Sequence, residues 1–138
     1  MAALTADRKS IYRPLHKRNF PVAAGVNIRQ WAGVVVGPDG LARPARVAAT
    51  DKSVGVAIFA VNNTLGAASA LSVECTSSDA VPMGNSSGGD LITLANVGDD
   101  CYWVDDQTVA LTSATNTRSR AGRIHNVDAQ GVWVHFDR

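Results

Sequence analysis

The segment Arg123-Ile-His-Asn-Val127, Asp128-Ala-Gln-Gly131, Val132-Trp-Val-His-Phe136 decides the fold class. In its last part Val132, Val134 and Phe136 fall on one face and Trp133 and His135 on the other, the period of two of a half-buried strand. The polar, Gly-ending tetrapeptide before it supplies a turn, so the whole reads as an antiparallel hairpin. Upstream, Cys101-Tyr-Trp-Val104 and Thr108-Val-Ala-Leu111 flank Asp105-Asp106-Gln107 and read as a second hairpin with a three-residue loop or a bulge. Val54-Gly-Val-Ala-Ile-Phe-Ala-Val61 is a continuous apolar run, too short and too β-branched for a helix, and Asn62-Asn63-Thr64 ends it. Ala67-Ala68-Ser69-Ala70 connects it to the alternating Leu71-Ser-Val-Glu-Cys75. Earlier still, the run Trp31-Ala-Gly-Val-Val-Val36 meets the turn Gly37-Pro38-Asp39-Gly40, after which Leu41 and Ala42 begin a return strand. Residues 76–90 are rich in Ser, Asp and Gly and read as a loop around Gly84-Asn-Ser-Ser-Gly-Gly-Asp90. Seven or eight short strands with turns between them predict an all-β fold, a small β-barrel or β-sandwich, and no internal repeat is visible.

The 138 residues suit one domain, and 46% of them are apolar. Ala and Val supply 38 of those 63 apolar residues, so the core is thin and a lone copy should be only modestly stable. Association with other chains would compensate. Eleven of the twelve acidic residues are Asp, and Gly, Thr and Val abound, which excludes a coiled coil. The net charge of +1 divides unevenly along the chain. Residues 1–30 carry six cations against Asp7, giving +5, and residues 31–138 carry seven cations against eleven acids, giving −4. Residues 1–21, interrupted by Pro14 and Pro21, read as a basic arm on a single β-rich domain of residues 22–138. Arg8, Lys9, Arg13, Lys17 and Arg18 interleave with Ile11, Tyr12, Leu15 and Phe20, a pattern that attracts an acidic surface and buries anchors on it. No stretch approaches the ~18 apolar residues of a membrane-spanning helix, and the N-terminus lacks the apolar core of a secretory signal, so the chain is expected to be made and used in soluble form.

Candidate chemistry is sparse. Asp99 and Asp100 lie at one end of a predicted strand and Asp105 and Asp106 at the other, roughly 13 Å away, too far apart to share one cation. With Val127 opposite Val132, Ile124 should face His135 and His125 should face Val134, turning the imidazoles to opposite faces without a third ligand. Ser86 and Ser87 lack a Gly-x-Ser-x-Gly elbow, and their Gly-rich loop lacks the Gly-Lys-Ser/Thr of a phosphate-binding loop. Trp31, Trp103 and Trp133 lie in predicted strands and are read as core or subunit-interface aromatics. Cys75 and Cys101, outside any Cys-x-x-Cys, are read as buried free thiols. The chain is therefore expected not to be an enzyme and to need neither cofactor nor metal.

Seven phrases follow one another over most of the chain: Pro21-Val-Ala-Ala-Gly25, Val54-Gly-Val-Ala57, Ala70-Leu-Ser-Val-Glu74, Gly98-Asp-Asp-Cys-Tyr102, Val104-Asp-Asp-Gln-Thr-Val109, Thr117-Arg-Ser-Arg-Ala-Gly122 and Val127-Asp-Ala-Gln-Gly-Val-Trp-Val134. In these the chain resembles the small capsid cement, or head decoration, proteins of tailed bacteriophages. It departs from them at Asp79-Ala-Val-Pro-Met-Gly84, where similar proteins carry an aromatic-containing strand, and the basic segment before Phe20 lies outside the shared pattern. The resemblance implies a virion protein made in the host cytoplasm and placed on the outer capsid surface. It implies a homotrimer that stabilises the head by bridging neighbouring subunits of the major capsid protein, with no catalytic residue, specific nucleic acid or membrane involved. The alternative is a receptor- or carbohydrate-binding module displayed on the virion, using residues 76–90 and a tryptophan.

Overall fold

The structure is a computed structural model and describes residues 2–3, 5–10 and 17–136. Among the described residues twelve strands follow one another: β1 (Lys17–Pro21), β2 (Asn27–Ile28), β3 (Gly33–Val36), β4 (Ala42–Pro44), β5 (Lys52–Ala57), β6 (Val61–Asn62), β7 (Ser72–Thr76), β8 (Val81–Met83), β9 (Asp100–Trp103), β10 (Val109–Ala110), β11 (Arg120–Asp128) and β12 (Gly131–His135). Among the described residues the only helical pieces are single 3-10 turns at Gly88–Asp90 and Leu94–Asn96. The fold is all-β. Two five-stranded antiparallel sheets, β1-β7-β5-β3-β4 and β10-β9-β11-β12-β8, pack together as a small sandwich, with β2 and β6 forming a separate ribbon.

The two large sheets are copies of one pattern. In each, counted in chain order, the first strand lies beside the fifth, the fifth beside the fourth, the fourth beside the second and the second beside the third. Neither closes into a continuous barrel, but a single parallel bridge ties the first strand's end to the third: Val22 to Ala42, and Gly84 to Thr108. Register repeats as well. Val34 pairs with Gly55 and then Val35 with Ser53, while Cys101 pairs with Gly122 and then Tyr102 with Arg120, so each fourth strand bulges by one residue at the same place. Gly55 and Gly122 are needed there, because a Cβ on either would strike the carbonyl oxygen of Thr76 or His135 in the fifth strand. We call the halves module 1 (β1–β7) and module 2 (β8–β12).

Each module has an inner core. Val22, Ile28, Val34, Ala42, Val54, Ala57, Val73 and Cys75 fill the first, with Phe20 and Val36 packed against them. Met83, Ile92, Cys101, Trp103, Val109, Ala121, Ile124, Val132, Val134 and Phe136 fill the second. The second core also takes in Val35, Ala45 and Val56 of module 1, so the outer face of β3 and β5 is buried beneath module 2. Trp103 is the link: fully buried, it stacks on Phe136 at 5.8 Å, and its Nε1–H donates to Ser53 Oγ at 3.1 Å across the boundary. Module 2 is thus seated on module 1 by an aromatic anchor whose one polar atom is satisfied.

Three local expectations change. The last five residues of the presumed arm, Lys17–Pro21, are β1, hydrogen-bonded along β7, because alternation at Arg18 and Phe20 turns Phe20 to the core opposite Val73. The presumed loop 76–90 contains β8, whose Met83 is buried; Pro82 is tolerated because β8 pairs by ladder on one side only. In the last hairpin Val127 does face Val132, but a bulge at His125 shifts the register, so Val134 faces Ile124 and His135 faces Arg123.

Candidate functional site

The cationic residues proposed to bind a partner lead into the edge of module 1. Arg8 and Lys9 are exposed; Ile11, Tyr12, Arg13 and Leu15 lie outside the described residues. Lys17 and Arg18 are exposed on β1, and Phe20 is half-buried. Arg18 lies 5.4 Å from the Phe20 ring centroid and donates from Nη2 to Val54 O at 3.5 Å, so its side chain lies over the rim of the core. Directly opposite Arg18 is Cys75, whose thiol burial pushes up to about 12 against the opposing influence of the Arg18 charge. Lys17 and Arg18 can present positive charge from a strand paired to β7.

The three tryptophans have three different fates. Trp103 is sealed between the modules. Trp133 is half-buried, with its Nε1–H donating to Asp128 Oδ2 at 2.9 Å. Trp31 lies just before β3 rather than in a strand and is 52% exposed, which corrects its reading as a strand residue. A carbohydrate platform built on Trp103 is excluded by its burial. Phe59, 61% exposed, sits in the loop after β5, which is tied to the Trp31 turn by Trp31 N–H to Ala57 O at 2.8 Å and Gln30 Nε2 to Ile58 O at 3.0 Å. Sequence reading missed Phe59 because it lies inside an apolar run, where exposure is not visible. A shallow groove elsewhere on module 1 is lined by Thr64, Leu65, Ala70 and Leu71.

The remaining polar candidates hold structure together. Burial, with the neighbouring Asp105 charge, raises the Asp106 carboxyl, while Arg29 acts the other way. Asp90 is held below the usual carboxylate range by Thr112 Oγ1 at 2.6 Å and by Arg118 Nη1 at 3.2 Å, which together fasten the chain before and after residues 113–117. Ser86 donates its hydroxyl to Val109 O at 2.9 Å, and Asn85 exchanges two hydrogen bonds with the Ile92 backbone, so this Gly-rich loop is fastened to the body. Both cysteines are free and buried, Cys75 in the core of module 1 and Cys101 in that of module 2. Among the described residues no group of three or more His, Cys, Asp and Glu side chains is placed to hold a metal ion, and no helix is long and apolar enough to cross a membrane. No family model, curated protein or solved structure matches this chain.

Proposed function

We propose that this chain is a virion structural protein, a cement protein that binds the outer surface of a tailed-phage capsid as a homotrimer and stabilises the head by bridging neighbouring major capsid protein subunits. The observation that carries this reading is the joining of a basic segment to a rigid edge. Exposed Arg8, Lys9, Lys17 and Arg18 run into β1, which is locked by register into module 1. A segment so anchored can reach an acidic neighbour without loosening the body, and several such arms on one particle reinforce one another. The seating of module 2 on module 1 supports the same role, since a tie between shell subunits must transmit load through a body that does not come apart.

The test is occupancy on purified heads that lack the protein. The full chain should decorate them, and a variant without residues 1–16 should bind more weakly while keeping β1 and the wild-type melting profile. The loss should resemble that caused by added salt, which screens exposed charge over about 10 Å at 0.1 M. Unchanged occupancy after the deletion rejects the arm, and failure of the full chain to bind heads rejects the cement role.

A further inference from the structure

The turn between β3 and β4 contains the dipeptide of this chain most prone to rearrange its own backbone. An aspartate followed by glycine can cyclise, because the glycine amide has no side chain beside it to hinder attack on the neighbouring carboxyl. Of the eleven aspartates only Asp39 precedes a glycine, and none of the eight asparagines does. Asp39 is exposed in the turn Gly37-Pro38-Asp39-Gly40, where Gly40 has a φ of 79°.

Each group that cyclisation needs is held by a neighbour. Gly40 N–H, which carries the attacking nitrogen, donates to Gly37 O at 2.9 Å. Asp39 Oδ1 accepts from Leu41 N–H at 3.1 Å, and Oδ2 accepts from Arg43 Nη2 in an ion pair. Arg43 reaches back over the turn from β4, where the ladder fixes it opposite Val35, and its side chain is only 15% exposed. Gly37 leaves room for this pair, since a Cβ there would lie 3.1 Å from Asp39 Oδ1 and 3.2 Å from Arg43 Cζ. The hydrogen bonds from Arg43 and Leu41 hold the Asp39 carboxyl below the usual carboxylate range. That opposes cyclisation, because an ionised carboxylate has no hydroxyl to lose.

We propose that Asp39 is the site of isoaspartate formation in this chain and that Arg43 is the positioning residue that restrains it. In the first step the Gly40 nitrogen bonds to Asp39 Cγ, the Cγ–OH bond breaks, and the hydroxyl leaves with the amide proton as water. Water then adds to the cyclic imide at the Asp39 main-chain carbonyl carbon, whose bond to the Gly40 nitrogen breaks. The chain now runs through Cβ and Cγ, and the former main-chain carbonyl carbon becomes a free carboxylate. Mass is unchanged, and water is the only co-reactant. The turn gains one backbone atom next to β4, whose Ala42 O accepts from Ala23 N–H at 2.9 Å just beyond β1. The change therefore falls beside the strand that holds the end of the basic segment. The inference stands apart from the cement role, because the reaction takes place in the free protein.

Prolonged warm incubation of the full-length protein at neutral pH, followed by peptide mapping, tests it. Isoaspartate is read as a second chromatographic peak of unchanged mass and by enzymatic methylation of the new carboxylate. In the wild type it should appear at Asp39 before any other position. Arg43→Gln should accumulate it about 5-fold faster, the upper effect of a surface ion pair, and Arg43→Lys should restore most of the restraint. Asp39→Glu, which would have to close a larger ring, should give no signal at this turn. Melting curves show whether each variant is folded. If Arg43→Gln does not fold, the wild type in high salt provides the comparison, since screening the pair should raise its rate. Isoaspartate that forms first elsewhere overturns the inference. So does a folded Arg43→Gln protein that reacts at the wild-type rate, an Arg43→Lys protein as fast as Arg43→Gln, or, where salt is the comparison, a rate that salt leaves unchanged.

Discussion

Replacing Gly33 with alanine tests the seating of module 2 on module 1. A Cβ built on Gly33 falls within 2.8 Å of Cη2, Cζ3 and Cζ2 of Trp103, whereas carbon atoms in contact normally keep about 3.5–4.0 Å apart. The ring has nowhere to retreat: it is fully buried, stacked on Phe136 and bonded through Nε1 to Ser53 Oγ. Overpacking of this kind costs ~1–3 kcal/mol, and a ring displaced by about 1 Å also loses the Ser53 bond, worth ~1 kcal/mol. The expected loss is therefore ~3 kcal/mol, or about 10 °C in melting temperature for a chain of this size. Gly33 does not have a positive φ, so alanine adds bulk without backbone strain. Trp103→Phe alone should cost ~2 kcal/mol by leaving a cavity, but it removes the outer ring atoms that the new methyl strikes. The double variant should be about as stable as Trp103→Phe alone, giving a coupling of ~3 kcal/mol in a double-mutant cycle. Gly89→Ala, with no atom near its added Cβ and no positive φ, is the control and should lie within ~0.5 kcal/mol of wild type. Urea unfolding of the wild type and the four variants measures these quantities. Additive losses, or a Gly33→Ala protein as stable as the control, would refute the picture of Trp103 as a rigid anchor.

Two further outcomes follow from local chemistry. Burial pushes the thiols of Cys75 and Cys101 from an ordinary 9.0 up to about 12, so the folded state keeps protons that the unfolded chain releases. Stability should therefore fall as pH rises from about 9 towards 12, and Cys75→Val with Cys101→Val should flatten that fall; an unchanged alkaline slope in melting temperature counts against it. Ala114, Thr115 and Asn116 run consecutively at φ of 49°, 60° and 62°. Thr115→Gly should stabilise by ~0.5–1 kcal/mol after allowance for glycine's larger unfolded-state entropy, and a lower denaturation midpoint would contradict this.

Much of the fold was legible because strand alternation and turn chemistry are local signals. Val132, Val134 and Phe136 are buried as their spacing requires, and Gly40 supplies the positive φ of its turn at 79°. The repeated module was not legible, because equivalent sites exchange volume: Val36 corresponds to Trp103, Ala57 to Ile124, Phe20 to Met83 and Cys75 to Val134, by register alone. Among the bulge residues only Gly55 and Gly122 are identical, and one shared glycine is too little to reveal a repeat. The candidate surface was half legible. Trp31 stood out as an aromatic residue, but its exposure depends on a left-handed turn that follows from long-range bonds to β5 rather than from its neighbours in sequence.

The same correspondence shows how the outer faces of the two modules differ. Module 2 is seated on the outer face of module 1 at Gly33, Val35, Ser53 and Val56. The equivalent residues of module 2 are Asp100, Tyr102, Arg120 and Arg123, and Arg120 Nε pairs with Asp100 Oδ1 at 2.8 Å. Seating a further apolar module there would strip water from paired charges without replacing their hydrogen bonds, so that face resists continued stacking. At the turn ahead of this strand the polarity of the comparison reverses, with a strained, exposed tryptophan in module 1 and an unstrained glycine in module 2. The repeat thus supplies an internal control: the outer face of one sheet is apolar and covered while its equivalent carries a charge pair, and one turn residue is an unstrained glycine where its equivalent is a strained, half-exposed tryptophan.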